Sequence, residues 1–491
     1  MIEYESVFIG GRWTAPAASA PATSAAASAT IDVRSPATGQ LVGRVPHAAP
    51  ADVDRAVEAA REAFDQGPWP RMTLAERAEI VTRIKDGLLA RHQELAELIS
   101  RQNGSPIGFA VRGQALSAVG AFAAALAVAA RLPEEEERPG LTGPLLVRRE
   151  PVGVVAAITP WNVPQLTIAA KLAPALLAGC AVILKPSPET PLDAFLLAEV
   201  CAAAGLPEGV LSVLPADRET GAYLVSHPGV DKVAFTGSVA AGKAIMAAAA
   251  ANLTRITLEL GGKSAAVLLD DADLDTALPA VVGGAFVNSG QACVALTRVL
   301  APASRYDEIA ARLTAAVAAL RVGDPADPGT QLGPLVSERQ RERVLAYVRT
   351  GREEGATLLT GGGIPEHLTT GWYMEPTLFG DVDNGMRIAR EEIFGPVVCL
   401  IRYEDEEDAL RIADDSAYGL AGTVWAGTTE RGTAFARRVR TGTYSVNCQR
   451  FDVAGPFGGY KDSGIGREFG PEGFAAYQET KTIHLPAPDP A

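Results

Sequence analysis

Short aliphatic and β-branched runs alternate with longer helical patterns along most of this chain, and no other feature limits its fold as strongly. The strand-like runs are residues 152–158, 181–185, 210–214 and 232–235, and clear helical runs between them are residues 166–177 and 192–204. Such alternation predicts a parallel, doubly wound sheet with helices on both faces. After Glu259 the pattern restarts with a strand at 265–269 and continues to about residue 446. The sequence therefore predicts an α/β fold with two such sheets.

The length of the chain also requires more than one domain. It has 491 residues, whereas single hydrophobic cores stop growing at roughly 250–300 residues. Hydrophobic residues make up 47% of the chain and charged residues 21%, which supplies enough apolar surface for two cores. We therefore expect two large domains with a smaller appended element.

The segments before and between the main strands have patterns of their own. Residues 7–13 predict a strand, and the Ala/Ser/Pro/Thr-rich run 15–30 predicts a mobile surface insertion. Amphipathic patterns within 53–64 and 74–88 predict two helices that cover a sheet. The acidic, Gly- and Pro-containing segment 134–144 predicts an exposed turn before a strand.

Charge and cysteine usage exclude several classes of partner. The formal net charge is -14 and the pI is near 5.0, so we expect neither nucleic acid nor an anionic membrane surface to be a partner. The alanine-rich run 115–130 is shorter than the roughly 20 residues of a membrane span and predicts a buried helix. The five cysteines are scattered, and the N-terminus is acidic. A reducing, cytoplasmic compartment without metal-binding cysteines fits best.

One cysteine differs from the other four in its local sequence. Cys293 lies in a Gly-containing turn, Asn-Ser-Gly-Gln-Ala-Cys, between two apolar segments. A thiol attacks only as the thiolate, which needs a positive environment or a helix N-terminus to form near neutral pH. Judged alone, Cys293 is more often a buried structural cysteine than a nucleophile.

Two polar residues that end strands are further candidates. Glu259 interrupts a β-rich run just before a glycine pair, which fits either a solvent-facing edge residue or a general base with a raised pKa. Asn162 follows Thr-Pro-Trp at a strand end, where it either forms part of a turn or donates a hydrogen bond to an oxyanion. Neither interpretation is decided by these segments alone.

A glycine turn after the strand at 232–235 resembles a phosphate-binding loop but lacks an essential group. The segment runs from Gly237 to Lys243 and is followed by Ala244, where such a loop needs Ser or Thr to ligate magnesium. A nucleotide hydrolase is therefore disfavoured, while the turn still suits close approach of a diphosphate at a helix N-terminus. The usual G-x-G-x-x-G dinucleotide fingerprint is also missing after the first strand.

Seven motifs taken together resemble the aldehyde dehydrogenase superfamily nearly from end to end. They are Thr-Pro-Trp-Asn162, Lys185-Pro-Ser, Phe235-Thr-Gly-Ser238, Glu259-Leu-Gly-Gly-Lys, Gly290-Gln-Ala-Cys293, Glu391-Glu-Ile-Phe-Gly-Pro396 and Pro456-Phe-Gly-Gly-Tyr-Lys-Asp-Ser-Gly. The resemblance implies that Cys293 is the nucleophile, Glu259 the base and Asn162 an oxyanion donor. It also implies that Lys171 and Glu468 relay protons and support the site. The expected reaction is oxidation of an aldehyde to the acid through a Cys293 thiohemiacetal and thioester, followed by hydrolysis.

The same resemblance implies a nicotinamide cofactor. The expected cofactor-binding residues are Ile158, Thr159, Pro160, Trp161, Lys185, Ser187, Gly221, Phe235, Thr236, Gly237, Ser238, Leu260, Gly261, Glu392 and Phe394. Similar NAD-preferring enzymes often carry Glu three residues after the lysine corresponding to Lys185, whereas here Pro188 stands there and Glu189 follows. We expect NAD, with NADP as the alternative cofactor.

Domain roles, substrate and assembly follow from the resemblance as further expectations. Two Rossmann-like domains are expected, a cofactor-binding one at 1–130 and 151–260 and a catalytic one at 261–462, with a small β oligomerisation element at 131–150 and 463–491. The chain is expected to form a homodimer or homotetramer. The aldehyde tunnel is expected to be lined by Val163, Thr167, Ala292, Val294 and Phe451, with Arg450 as the nearby charge. A catalytically silent structural or binding homologue is the alternative, although nucleophile and base are both present.

Overall fold

The computed structural model describes residues 1–17 and 30–486. Most of the segment predicted to be a surface insertion therefore lies outside the described residues. Within them, the chain forms two large β-sheets that are covered by helices, and three small sheets join or flank these. The predicted α/β fold with two Rossmann-like sheets is confirmed.

The first large sheet has eight strands, of which the central five are parallel. In spatial order its strands are Gly464–Ile465, Arg255–Glu259, Lys232–Thr236, Val154–Ile158, Ala181–Lys185, Leu211–Val213, Val7–Ile9 and Arg12–Thr14. The chain order reverses between Val154–Ile158 and Lys232–Thr236. Ligands of such sheets bind beyond the carboxyl ends of the strands at this switch point.

The second large sheet has seven described strands and is parallel except at one edge. In spatial order they are Thr357–Thr360, Thr377–Gly380, Val397–Tyr403, Arg298–Pro302, Ala265–Leu268, Gly422–Trp425 and Ser445–Val446. The sheet is buried on both faces by two separate clusters of aliphatic side chains. Its strands accordingly read as nearly continuous hydrophobic runs, as expected for parallel strands covered by helices.

Helices cover both faces of each large sheet. Those with the first sheet are Pro50–Asp65, Leu74–Ala90, His92–Asn103, Ile107–Phe109, Ser117–Ala129, Pro164–Ala178, Leu192–Ala203, Arg218–Ser226, Val239–Ala249 and Gly470–Ala475, together with the π-helix Ala110–Leu116. Those with the second sheet are Leu274–Ala285, Tyr306–Ala318, Glu338–Glu353, Arg387–Arg390, Glu406–Asp414 and Thr429–Ala436. Short 3-10 turns lie at Trp69–Arg71, Ala250–Asn252, Val287–Gly290 and Ala303–Arg305.

The three small sheets join distant parts of the chain. One pairs Leu145–Pro151 with Glu135–Arg138 and Gln478–His484, and a second pairs Leu41–Pro46 with Ile2–Glu3 and Thr30–Arg34. The third pairs Tyr418–Gly419 with Tyr460–Lys461. Gly464–Ile465 then pairs with Arg255–Glu259, so the C-terminal segment is fastened to the first large sheet.

Two local predictions were wrong in detail. The segment predicted as an exposed turn contains the strand Glu135–Arg138, because Arg148 and Arg149 on the neighbouring strand form ion pairs with Glu135 and Glu136. Opposite charges across a strand pair offset the low strand propensity of glutamate. Residues 7–13, predicted as one strand, form a tight hairpin instead, since Gly10 and Gly11 both have positive φ.

The alanine-rich helix is buried on one side only. Ala118, Ala121 and Phe122 are buried, and the helix packs against Pro164–Ala178. Among the described helical runs, Ile107–Ala129 is the one long and apolar enough to cross a membrane by length and composition, with 28% of its most apolar window buried. The helices of a folded core pass the same test.

Candidate active site

The carboxyl ends of neighbouring parallel strands bring the predicted functional residues to one edge of the first sheet. Thr159 to Asn162 follow the strand Val154–Ile158, and Gly237 follows the strand Lys232–Thr236. Glu259 is the last residue of its strand and pairs in register with Thr236. The segment that carries Cys293 approaches this edge from the second sheet, since the Cys293 carbonyl oxygen lies against Gly262.

The glycine pair after Glu259 is explained by close packing at this point. A Cβ on Gly261 would lie 2.3 Å from a carboxylate oxygen of Glu392, and a Cβ on Gly262 would lie 2.3 Å from the backbone oxygen of Cys293. The Gly262 N–H also donates to Oε1 of Glu392 over 2.9 Å. Glycine at both positions thus lets the nucleophile segment and Glu392 reach the end of the Glu259 strand.

The partly exposed Cys293 faces the buried Glu259 carboxyl. Burial raises the pKa of the Cys293 thiol well above its usual range, and the negative charge of Glu259 raises it further. Burial likewise raises the pKa of Glu259, and Glu468 adds to this effect. Glu259 is 3% exposed, and its Oε1 has no hydrogen-bond partner. The largest influences on the Cys293 pKa are burial and neighbouring carboxylates, which raise it, rather than the positive environment that favours a thiolate.

Asn162 lies where its amide can donate a hydrogen bond to a developing negative charge. Its Nδ2 donates to the backbone oxygen of Gln291 over 3.0 Å, two residues before Cys293. An amide nitrogen carries two N–H groups, so the second stays available. Among the described residues the Cys293 N–H has no acceptor either. Two donors are therefore available beside the thiol, the arrangement that an oxyanion hole requires.

Lys171 and Glu468 form a buried ion pair behind Glu259. The Lys171 ammonium is fully buried and contacts Oε1 of Glu468, and it also donates to the Thr236 hydroxyl over 2.6 Å. Thr236 is the residue paired in register with Glu259. The pair therefore places one positive and one negative group next to the candidate base, and their charges act on the Glu259 pKa in opposite directions.

The predicted cofactor-binding residues include buried polar groups that have few or no hydrogen-bond partners among the described residues. Lys185 is 7% exposed, donates only a long bond of 3.4 Å to the Pro186 oxygen, and has a pKa lowered by burial to about 8. The buried hydroxyl of Thr159 has no partner. Burial also raises the pKa of Glu392 to about 7. Unpartnered buried donors and acceptors are costly unless a ligand satisfies them, so these residues fit a polyhydroxylated cofactor.

The remaining predicted cofactor residues surround the same cleft. The rings of Trp161 and Phe394 meet edge to face at 5.3 Å. Ser238 caps the helix Val239–Ala249, and Gly221 packs against the Lys185 side chain. The others, which end or directly follow strands of the first sheet, are Ile158, Pro160, Ser187, Phe235, Thr236, Gly237, Leu260 and Gly261.

Two of the five predicted tunnel residues, Val163 and Thr167, lie at the start of the helix that follows Asn162, and Ala170 and Pro174, which were not predicted, extend the same stripe. Val163, Thr167, Ala170 and Pro174 recur at helical spacing, and the first two are partly exposed. Further along, a small apolar cavity lies between this helix and Ser117–Ala129; its enclosed volume is about 20 Å³, and the 270 Å³ of empty space around it includes open solvent. The cavity is lined by Ala121, Ala125, Ala169, Ala170, Pro174, Val453, Phe469, Gly470 and Phe474.

The other predicted tunnel residues differ in their exposure. Phe451 is 44% exposed and its ring contacts Phe457 and Phe469 edge to face. Ala292 is buried and Val294 is partly exposed. Arg450 is exposed and has no ion-pair partner in the described part of the chain, which agrees with a solvent-facing arginine. The described residues contain no cluster of His, Cys, Asp and Glu that could hold a metal ion.

Sequence reasoning missed a group of buried polar residues behind the site. They are Asn103, Ser105, Gln114 and Asn288, which are hydrogen-bonded to one another or to Asn162. The available signal was the Asn-Ser-Gly sequence before Cys293.

Comparisons with known proteins show which family the chain resembles. The model of the aldehyde dehydrogenase family matches residues 23–483. The chain is 48% identical over 485 residues to geranial dehydrogenase of Castellaniella defragrans, covering 99% of both chains. It is 50% identical to a Mycobacterium tuberculosis aldehyde dehydrogenase solved with NAD+, with a TM-score of 0.96 and 100% of both chains covered. A Pseudomonas syringae aldehyde dehydrogenase C mutant solved with NAD+ and octanal is 41% identical, with a TM-score of 0.93 over 98% of this chain and 96% of that chain.

Proposed function

The chain belongs to the aldehyde dehydrogenase family and is an NAD-dependent enzyme that oxidises aldehydes to acids, and we propose that Cys293 is its nucleophile. The observation that carries this proposal is that Cys293 contacts the buried Glu259 carboxyl, whose Oε1 has no hydrogen-bond partner among the described residues, and that the Asn162 amide bonds to the segment that carries Cys293. Together these groups supply a nucleophile, a base and an oxyanion hole. A catalytically silent homologue would not need to retain all three.

The first half of the proposed reaction forms a covalent bond to sulfur. Glu259 takes the thiol proton, and the Cys293 sulfur adds to the aldehyde carbon to give a thiohemiacetal. The second N–H of Asn162 and the Cys293 N–H donate to the resulting oxyanion. The oxidised nicotinamide supplies the acceptor for the hydride that leaves this carbon, and a thioester on Cys293 remains.

The second half releases the acid by hydrolysis. Glu259 gives up its proton towards solvent and then takes one from a water molecule that attacks the thioester, and Cys293 leaves as thiolate. The raised pKa of Glu259 makes it a better base than an exposed carboxylate. Lys171 and Glu468 tune the charge next to Glu259 and offer groups through which the proton can pass.

We further propose NAD as the preferred cofactor over NADP. The usual ribose-binding Glu is replaced by Pro188, but Glu189 lies near Lys185, where its carboxylate accepts from the Ser187 hydroxyl and faces Arg339 at 3.4 Å. A carboxylate at this point repels a 2′-phosphate. Glu189→Gln should therefore raise kcat/KM with NADP relative to NAD, and a wild-type enzyme that prefers NADP would contradict the proposal.

The proposed substrate is an aldehyde with an apolar chain. The stripe Val163, Thr167, Ala170 leads from Asn162 to the apolar cavity, and at 1.5 Å per residue Ala170 lies about 10 Å along the helix from Val163. An extended chain of eight carbons spans roughly the same length. Geranial and octanal, which appear in the names of two similar proteins, have chains of this kind.

Assembly and compartment complete the proposal. The strand Leu145–Pro151, paired with Gln478–His484, stands apart from the two large sheets and is the element proposed to build a homodimer or homotetramer. All five cysteines lie within the described residues and are free thiols, which supports a cytoplasmic location.

The direct test of the proposed chemistry is the Cys293→Ala variant. It should lose aldehyde oxidation while NAD still binds with wild-type affinity, because none of the proposed cofactor contacts uses the thiol. Retained turnover would contradict the assignment of the nucleophile.

A further inference from the structure

The segment before Cys293 has an unfavourable backbone conformation, which contacts with neighbouring residues must stabilise. Asn288, Ser289 and Gly290 are consecutive residues with φ of 50, 57 and 73°. For residues other than glycine, the left-handed region costs roughly 1–2 kcal/mol each. Gly290 itself leaves no room for a side chain, since a Cβ would lie 2.2 Å from the Gly395 oxygen. This turn sets the position of Cys293, three residues later.

The Asn288 side chain joins this turn to the oxyanion donor. Its Nδ2 donates to the Asn162 backbone oxygen over 3.0 Å, and Asn103 donates to the same oxygen over 3.2 Å. In return, the Asn162 side chain donates to the Gln291 oxygen over 3.0 Å. The nucleophile segment and Asn162 are therefore linked in both directions by buried hydrogen bonds.

Two further side chains determine which way the Asn288 amide faces. The Ser105 hydroxyl donates to Oδ1 of Asn288 over 2.6 Å, and Nε2 of Gln114 donates to the Ser105 hydroxyl over 2.7 Å. With Oδ1 engaged as acceptor, Nδ2 must point to Asn162. Ser105 and Gln114 are fully buried. Gln114 lies in the π-helix Ala110–Leu116, a form that is rare and often found near functional sites.

We propose that Asn288, oriented by Ser105 and Gln114, is a positioning residue that keeps the Cys293 sulfur and the Asn162 amide in register for attack. This inference rests on the proposed roles of Cys293 and Asn162. None of the three residues touches the substrate, so their effect passes through the turn and the Asn162 backbone. A small displacement of a reacting group typically lowers a rate by about 10²-fold.

The test uses Asn288→Gly, which separates side-chain links from backbone strain. Glycine adopts φ near 50° without strain, so the backbone turn is kept while the hydrogen bonds of the Asn288 amide to Ser105, Asn162 and Gln291 are lost. We expect kcat for octanal to fall about 10²-fold, with the Kd for NAD close to wild type. The Tm should fall, because Ser105 and the Asn162 oxygen each lose a buried partner. Cofactor-free cleavage of p-nitrophenyl acetate should fall by a similar factor, because it needs the same sulfur and oxyanion donors.

Matched variants make the outcome decisive. Ser105→Ala should lower kcat and Ser105→Thr should restore most of it, since threonine keeps the hydroxyl. Asp381→Gly replaces another left-handed residue, exposed at the edge of the second sheet, and should leave kcat unchanged. Wild-type kcat in Asn288→Gly would overturn the proposal, as would parallel losses of kcat and NAD binding. If kcat is unchanged in Asn288→Gly while Cys293→Ala is inactive, the positioning role fails and the nucleophile assignment stands.

Discussion

Filling the apolar cavity at Ala170 should change the preference of this enzyme from long-chain to short-chain aldehydes. Ala170 is 3% exposed and lines the cavity together with Ala121 and Ala125. Ala170→Leu adds three carbon atoms there, so about three methylene groups of a bound chain are excluded. At about 0.8 kcal/mol for each CH₂, the loss is about 2.4 kcal/mol, or roughly 60-fold in kcat/KM.

The assay compares kcat/KM for octanal and propanal with NAD in wild type and Ala170→Leu. Octanal should lose roughly 60-fold, whereas propanal, too short to reach the cavity, should change by less than about threefold. Ala123→Leu is the control, because Ala123 is exposed on the neighbouring helix. Equal losses for both aldehydes would refute the role of the cavity. A wild-type preference for a charged aldehyde over octanal would also refute it.

Two further predictions concern the charges around Cys293. Glu259→Gln removes a negative charge that raises the Cys293 pKa. The pH midpoint for alkylation of Cys293 by iodoacetamide, measured by mass spectrometry, should therefore move to lower pH. An upward shift of this midpoint would contradict the electrostatic account. Lys171→Met leaves the buried Glu468 carboxylate without its partner, which typically costs about 3–5 kcal/mol. Denaturant unfolding should show this loss, and Lys171→Met combined with Glu468→Gln should recover part of it; full stability of the single variant would show that the pair contributes nothing.

Much of the fold was accessible from the sequence because its signals are local. Buried parallel strands are short apolar runs, so the strands Val154–Ile158 and Ala181–Lys185 stand out beside their helices. The strand Glu135–Arg138 was missed because its stability comes from ion pairs with a neighbouring strand, which no local pattern records. The proposed domain boundaries and the roles of the individual site residues remain predictions.

The candidate site was predictable only in part, for a related reason. Motif resemblance identified Cys293, Glu259 and Asn162, which lie in recognisable segments. The hydrogen bond between Ser105 and Asn288 joins residues 183 positions apart, and their link to the turn conformation is visible only in three dimensions. The raised pKa of Cys293 was also unforeseen, because it depends on burial and on which carboxylate the fold places opposite the thiol.

The most direct test of the central claim is to trap the covalent intermediate on Cys293. Glu259→Gln should still form the thioester with NAD and octanal, because the Cys293 thiol loses a neighbouring negative charge that raises its pKa and can release its proton to solvent. Without the Glu259 base the thioester should hydrolyse slowly, so intact-protein and peptide mass spectrometry should find one octanoyl group per chain, on the Cys293 peptide. One equivalent of NADH should appear in the same burst. No acyl adduct, or an adduct on Cys448, the other partly exposed cysteine, would contradict the account.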